Sequence, residues 1–127
     1  MEIIGYIANG ESKEKVVFLV NENNHIEPKY PQDKEILISA WNIDDEILQE
    51  FIDFINKDIN DNDKKVELLT NTTKYEFLDS SDIYNLALSK FGFDPEPTQD
   101  EIENKIDEIV DNAIFSYEDL FLIKKGD

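Results

Sequence analysis

The chain has 127 residues, 40% of them hydrophobic and including eight Phe, five Tyr and one Trp. That is enough apolar material for one folded domain and argues against disorder. Thirty acidic residues against twelve lysines give a formal net charge of −18. With no arginine to supply bidentate contacts, direct binding of nucleic acid is disfavoured. No cysteine is present, so disulfides and thiolate chemistry are excluded, and no apolar run approaches the ~20 residues of a membrane span.

Taken in order, residues 2–8 (EIIGYIA) and 15–21 (KVVFLVN) predict a β-hairpin across a polar loop. MEIIGYIANG lacks the basic region of a signal peptide, so a cytoplasmic location is expected. Residues 21–34 read as a loop rich in Asn, Pro and charge, and 35–41 (EILISAW) as a third strand. Asn42 or Asp44 then caps a helix to about Asn60, with Ile43, Ile47, Phe51, Phe54, Ile55 and Ile59 inward. Its polar side holds Glu46, Glu50 and Asp53, with Lys57 spaced to pair with Asp53. Residues 65–70 and 74–78 read as two more strands around a turn at Asn71-Thr72, which also begins a glycosylation-type triplet. Ser80 or Ser81 caps a short helix over 82–91, closed by Gly92 as a left-handed C-cap.

The strongest signal follows. Asp94-Pro95 and Glu96-Pro97 break the preceding helix, because proline fixes φ and restricts its predecessor. Thr98 and Glu101 have the spacing of a capping box. Ile102, Ile106, Ile109, Val110 and Ala113 form an apolar stripe, while Asp100, Glu103, Asp107 and Asp111 form another, flanked by Glu101 and Glu108. Eleven helical steps span about 16 Å, so six acids less Lys105 leave roughly one net charge per 3.3 Å. A DNA strand carries one phosphate about every 3.4 Å. Tyr117, Glu118 and Asp119 extend the acidic segment, and residues 120–124 read as a closing strand.

The charge is concentrated. Residues 42–63 hold eight acids and one lysine (net −7), and residues 91–123 ten acids and one lysine (net −9). The rest of the chain holds twelve acids against ten lysines.

Catalytic and metal motifs are weak by comparison. His25, the single histidine, sits in the polar stretch NENNHIEP and reads as a surface residue, since zinc needs several ligands and a general base needs a partner. Residues 58–63 resemble the start of an EF-hand loop. Asp63 stands where the sharp turn needs Gly and Leu69 where calcium needs a bidentate Glu, which leaves at most a weak cation contact. Paired carboxylates hydrolyse glycosides only when one is buried in a cleft, whereas these acids fall on solvated helix faces. Neither a nucleophile elbow, a phosphate loop nor a zinc-protease motif occurs. Trp41 reads as core, and Tyr117 as the most exposed of Tyr30, Tyr75, Tyr84 and Tyr117.

These readings predict a single α+β domain over 1–127, an antiparallel sheet of about four to six strands with three helices mainly on one face. They predict no catalysis, cofactor, metal or membrane. The expected function is protein inhibition: an acidic surface occupying the basic nucleic-acid-binding site of a partner, 1:1, as phage inhibitors of CRISPR or restriction nucleases and nuclease-toxin immunity proteins do as classes. The expected contact residues are Asp100, Glu101, Glu103, Asp107, Glu108, Asp111, Tyr117, Glu118 and Asp119, with Glu46, Glu50 and Asp53. The alternative is an acidic adaptor that binds through an apolar surface and uses its charge for solubility.

Overall fold

The computed structural model describes residues 1–92 and 96–125. The break expected at Asp94-Pro95 lies outside them. The chain divides into two compact units, Met1–Tyr75 and Glu76–Asp127.

In the first unit β1 (Glu2–Asn9) and β2 (Ser12–Val20) form the expected hairpin, with an unbroken register from Glu2 opposite Leu19 to Asn9 opposite Ser12. The turn passes through Gly10 at φ 65°, a left-handed conformation that costs glycine little. β3 (Ile26–Pro28) joins the far side of β2, so β1 is an edge strand of a three-stranded sheet. The amide side chain of Asn56 grips β3 from outside: its Oδ1 accepts from Ile26 N at 2.8 Å and its Nδ2 donates to Ile26 O at 2.9 Å.

Three helices complete this unit: α1 (Pro31–Trp41), α2 (Asp45–Asp58) and α3 (Asn62–Thr70). α1 and α3 pack against β1, α1 also against β2, and α2 against α1, α3 and β3. Ile7, Val16, Phe18, Ile26, Leu37, Leu48, Phe51, Ile55 and Leu69 are fully buried between these elements. At about 1.5–3 kcal/mol for each large apolar side chain removed from water, this core dominates the stability of the unit. The approach of α3 to β1 requires Gly5, where an added Cβ would stand 2.8 Å from Thr70 Cγ2 and 3.0 Å from Val66 Cγ1.

Three sequence expectations fail here. Residues 21–34, read as a loop, hold β3 and the first turn of α1. Residues 35–41 are helical instead of a strand: Pro31 opens α1 at a position where its missing N–H costs nothing, and Asp33, Leu37 and Trp41 form the buried i, i+4, i+8 face. Residues 65–70 likewise belong to α3, whose buried face is Lys65, Leu68 and Leu69. The polar stretch that resembles a calcium loop joins α2 to α3, and Asp61 caps α3 by accepting from Asp63 N at 2.9 Å. α2 forms where expected, with Asp44 as its N-cap accepting from Ile47 N at 2.9 Å, but its buried face is Leu48, Phe51, Ile52 and Ile55, while Ile47, Phe54 and Ile59 are half-buried.

The second sheet has the order β4-β6-β5, from β4 (Tyr75–Asp79), β5 (Phe115–Tyr117) and β6 (Leu120–Lys124). α4 (Ser80–Ser89) and α5 (Gln99–Asp111) pack on each other. Ile83, Ala87, Ile102, Phe115 and Leu122 are buried, and Phe77 meets Phe115 edge-on at 6.3 Å. Asp79, not Ser80 or Ser81, caps α4, in a reciprocal box with Asp82. Gly92 is not the left-handed cap: α4 ends at Lys90 in right-handed geometry, and among the described glycines only Gly10 has positive φ. The architecture is α+β, with two three-stranded antiparallel sheets and five helices among the described residues in place of one sheet and three helices. No described helix is long and apolar enough to cross a membrane.

Candidate functional site

The acidic helix is α5. Thr98 Oγ1 accepts from Glu101 N at 3.2 Å and Glu101 Oε1 accepts from Thr98 N at 3.4 Å, the capping box read from the sequence. At about 100° per residue, Asp100, Glu101, Glu103, Asp107, Glu108 and Asp111 span an arc of roughly 160° opposite the apolar stripe. All six are exposed. Lys105 pairs with Glu108 at 3.1 Å, and Gln99 donates to Glu103 at 3.4 Å. Among the described residues no ion pair engages Asp100, Asp107 or Asp111. Of the stripe, Ile102 is buried, whereas Ile106, Ile109 and Val110 are half-buried. A groove of about 210 Å³ is lined by Glu108 together with Leu86, Lys90, Ile109, Ile123 and Lys124.

Beyond α5 the picture changes. Glu118 is exposed at φ 54° in the turn between β5 and β6. Asp119 accepts from Ser80 Oγ at the start of α4, so its carboxylate is already engaged within the unit. Tyr117 is half-buried and not the most exposed tyrosine; Tyr6, Tyr30 and Tyr84 are more open. Trp41 is core, as expected.

Glu46, Glu50 and Asp53 are exposed on one side of α2. Asp53 accepts from Gln49 Nε2 at 3.0 Å, and no Lys57–Asp53 ion pair is among those formed by the described residues. The neighbouring Asp45 is paired with Lys34 at 2.7 Å. The two acidic segments thus belong to different units, α2 to the first and α5 to the second.

His25 is exposed, and its backbone N–H donates to Asn21 Oδ1 at 3.0 Å. It lines a cleft of about 150 Å³ with Asn21, Glu27, Gln49, Asp53 and Asn56. No group of three or more His, Cys, Asp or Glu among the described residues could hold a metal ion.

Three features escaped the sequence reading. Lys65 is buried, and its ammonium donates to Asn24 O at 2.7 Å; burial holds its pKa below the ordinary 10.5. Asp33 is buried too, its Oδ2 accepting weakly from Val17 N at 3.4 Å. The outer face of the first sheet exposes Ile4, Tyr6 and Leu19. Beside them Glu2 and Lys29 form an ion pair whose hydrogen bond lowers the glutamate pKa and raises that of the lysine.

The chain matches no family model, and no curated protein or solved structure is significantly similar to it.

Proposed function

We propose that the protein is a non-enzymatic inhibitor that blocks the basic, nucleic-acid-binding site of a partner protein by presenting carboxylates in place of phosphates. The observation that supports this best is the face of α5, with six exposed carboxylates on one side of one helix and a single internal counter-charge. Local stability does not account for such a face. Acids in the first turn favour the helix dipole, but Glu103/Asp107 and Asp107/Asp111 are like-charged i, i+4 pairs costing on the order of 0.2–0.5 kcal/mol each. A basic groove would relieve that repulsion and release its own counter-ions. Long-range attraction would speed the encounter, and desolvated carboxylates would then slow dissociation. Phage inhibitors of CRISPR or restriction nucleases and immunity proteins against nuclease toxins both fit this chemistry, as a cytoplasmic 1:1 complex without cofactor.

A second reading, an acidic adaptor that binds through an apolar surface, is favoured by one observation: Ile4 and Tyr6 are 51% and 58% exposed on a regular strand. Charge reversal separates the two. Asp107→Lys, Glu108→Lys and Asp111→Lys together are expected to weaken capture of a basic partner by at least about 100-fold, or ~2.7 kcal/mol. Capture unchanged by that triple variant, and equally by Glu46→Lys with Glu50→Lys, would leave the adaptor reading standing and the carboxylates as solvation.

A further inference from the structure

We infer that the groove lined jointly by α4, α5 and β6 in the second unit is a binding site for a medium-chain fatty acid, an aliphatic monocarboxylate. The second unit holds fourteen acids against four lysines, a net charge of −10. Two of those lysines, Lys90 and Lys124, line this one groove. Both are exposed, and among the described residues neither takes part in an ion pair. A third, Lys105, pairs at 3.1 Å with Glu108, the acid in the lining, so that carboxylate does not cancel them. The groove is a cationic spot on an anionic unit.

Helix electrostatics account for only part of this. A lysine at a helix C-terminus is favourable without any ligand, and Lys90 is the C-cap of α4. Lys124 comes instead from the end of β6 and adds a second ammonium to the same groove. Much of the remaining lining is aliphatic, from Leu86, Ile109 and Ile123, and all three are only half-buried. Apolar walls with a few charged groups are the usual make-up of a small-molecule site.

Three features select the occupant. The two ammoniums call for an anion. The groove also holds Lys90 and Asn112, the C-caps of α4 and α5, so the negative ends of two helix dipoles lie there. Together with the net charge of the unit, and with no arginine in the chain, those dipoles disfavour a phosphate or any dianion and leave a monocarboxylate. No aromatic side chain lines the groove among the described residues, so a ring would find no stacking partner, whereas an aliphatic chain meets its own kind. A methylene takes up about as much room as a water, so the volume of about 210 Å³ holds roughly seven carbons beyond the carboxylate. The tail supplies most of the affinity and the lysines fix the head. The inference goes beyond the inhibitor reading and does not rest on it.

The test is a titration of the ¹⁵N-labelled full chain with sodium octanoate to about 10 mM, followed by amide chemical shifts. Octanoate is expected to bind saturably with a Kd of about 1 mM or tighter, with shifts confined to the groove, at Lys90, Ile109, Asn112, Ile123 and Lys124. Three probes dissect the ligand without any substitution: octanol keeps the tail and drops the charge, acetate keeps the charge and drops the tail, and octylammonium reverses the charge. Each is expected to bind at least about tenfold more weakly. 3-Phenylpropanoate, with a ring in place of the chain, is expected to be weaker by at least about threefold. Lys90→Gln with Lys124→Gln should weaken octanoate at least about tenfold and leave octanol within about twofold. Lys13→Gln with Lys15→Gln makes the same change of net charge in the first unit and should leave octanoate within about twofold. Octanoate that gives no saturable shift, or shifts spread over both units, overturns the inference. So does octanol or octylammonium that matches octanoate, a tighter phenylpropanoate, or an equal loss from the Lys13 and Lys15 pair.

Discussion

Trp41→Phe is expected to cost the first unit about 2–5 kcal/mol. The last four carbonyls of a helix have no partner within it. In α3, Glu67 O takes the N–H of Asn71 and Leu69 O takes the indole N–H of Trp41 at 2.7 Å. Leu69 is fully buried and Trp41 is 5% exposed, so water does not readily replace the indole. Phenylalanine leaves that carbonyl unsatisfied, at about 1–3 kcal/mol. The smaller ring adds about 1–2 kcal/mol in lost transfer energy and residual cavity. Urea denaturation followed by far-ultraviolet circular dichroism measures the sum, because the substitution removes the only tryptophan. Benzothienylalanine at position 41 keeps the ring shape and drops the donor, and should retain the 1–3 kcal/mol share. A loss below about 1 kcal/mol for Trp41→Phe would refute the account of how α1 is tied to α3.

Gly5→Ala should destabilise the fold by about 1–3 kcal/mol, since its Cβ would press on Thr70 and Val66. Gly92→Ala, where an added Cβ meets nothing within 4 Å, should stay within about 0.5 kcal/mol. Equal losses in denaturation would contradict the close approach of α3 to β1. Lys65 carries a pH signature. Its folded pKa lies below its unfolded value, so the charged amine weakens the fold near neutrality, and this cost fades as pH rises from the folded pKa toward 10.5. The stability difference between wild type and Lys65→Met should move in favour of wild type over that range, and a difference that stays flat or moves the other way would count against the burial. Thr98→Ala should cost the second unit about 1 kcal/mol through loss of the cap of α5, visible as faster amide exchange in its first turn. Unchanged exchange there would remove the cap from the account.

How much of this was legible depended on whether local and tertiary signals agreed. α5 announced itself because the capping box at Thr98, the 3.6-residue stripe and the charge pattern over 100–111 all pointed to one helix, and of the residues read into the stripe only Ala113 lies past its end at Asp111. α1 did not, because Ile36 and Ile38 alternate within EILISAW like a strand, and its helical face runs through the buried acid Asp33. α3 hid in the same way. Its face is Lys65, Leu68 and Leu69, and a lysine reads as polar until Asn24 O is seen to accept a hydrogen bond from it. The carboxylate faces could be counted from the sequence, but which aromatics stay outside could not. Tyr6 is exposed since α1 and α3 cover only one side of its sheet, a fact of packing with no local trace.

If carboxylates on α5 stand in for nucleic-acid phosphates, as proposed, duplex DNA and this protein compete for one site on the partner. Tagged protein would capture partners from host lysate, followed by elution in steps of salt and then with duplex DNA, the eluates being identified by mass spectrometry. The expected result is a basic nuclease or other nucleic-acid-binding protein, released by salt and displaced by DNA. A partner that withstands both salt and DNA would contradict it.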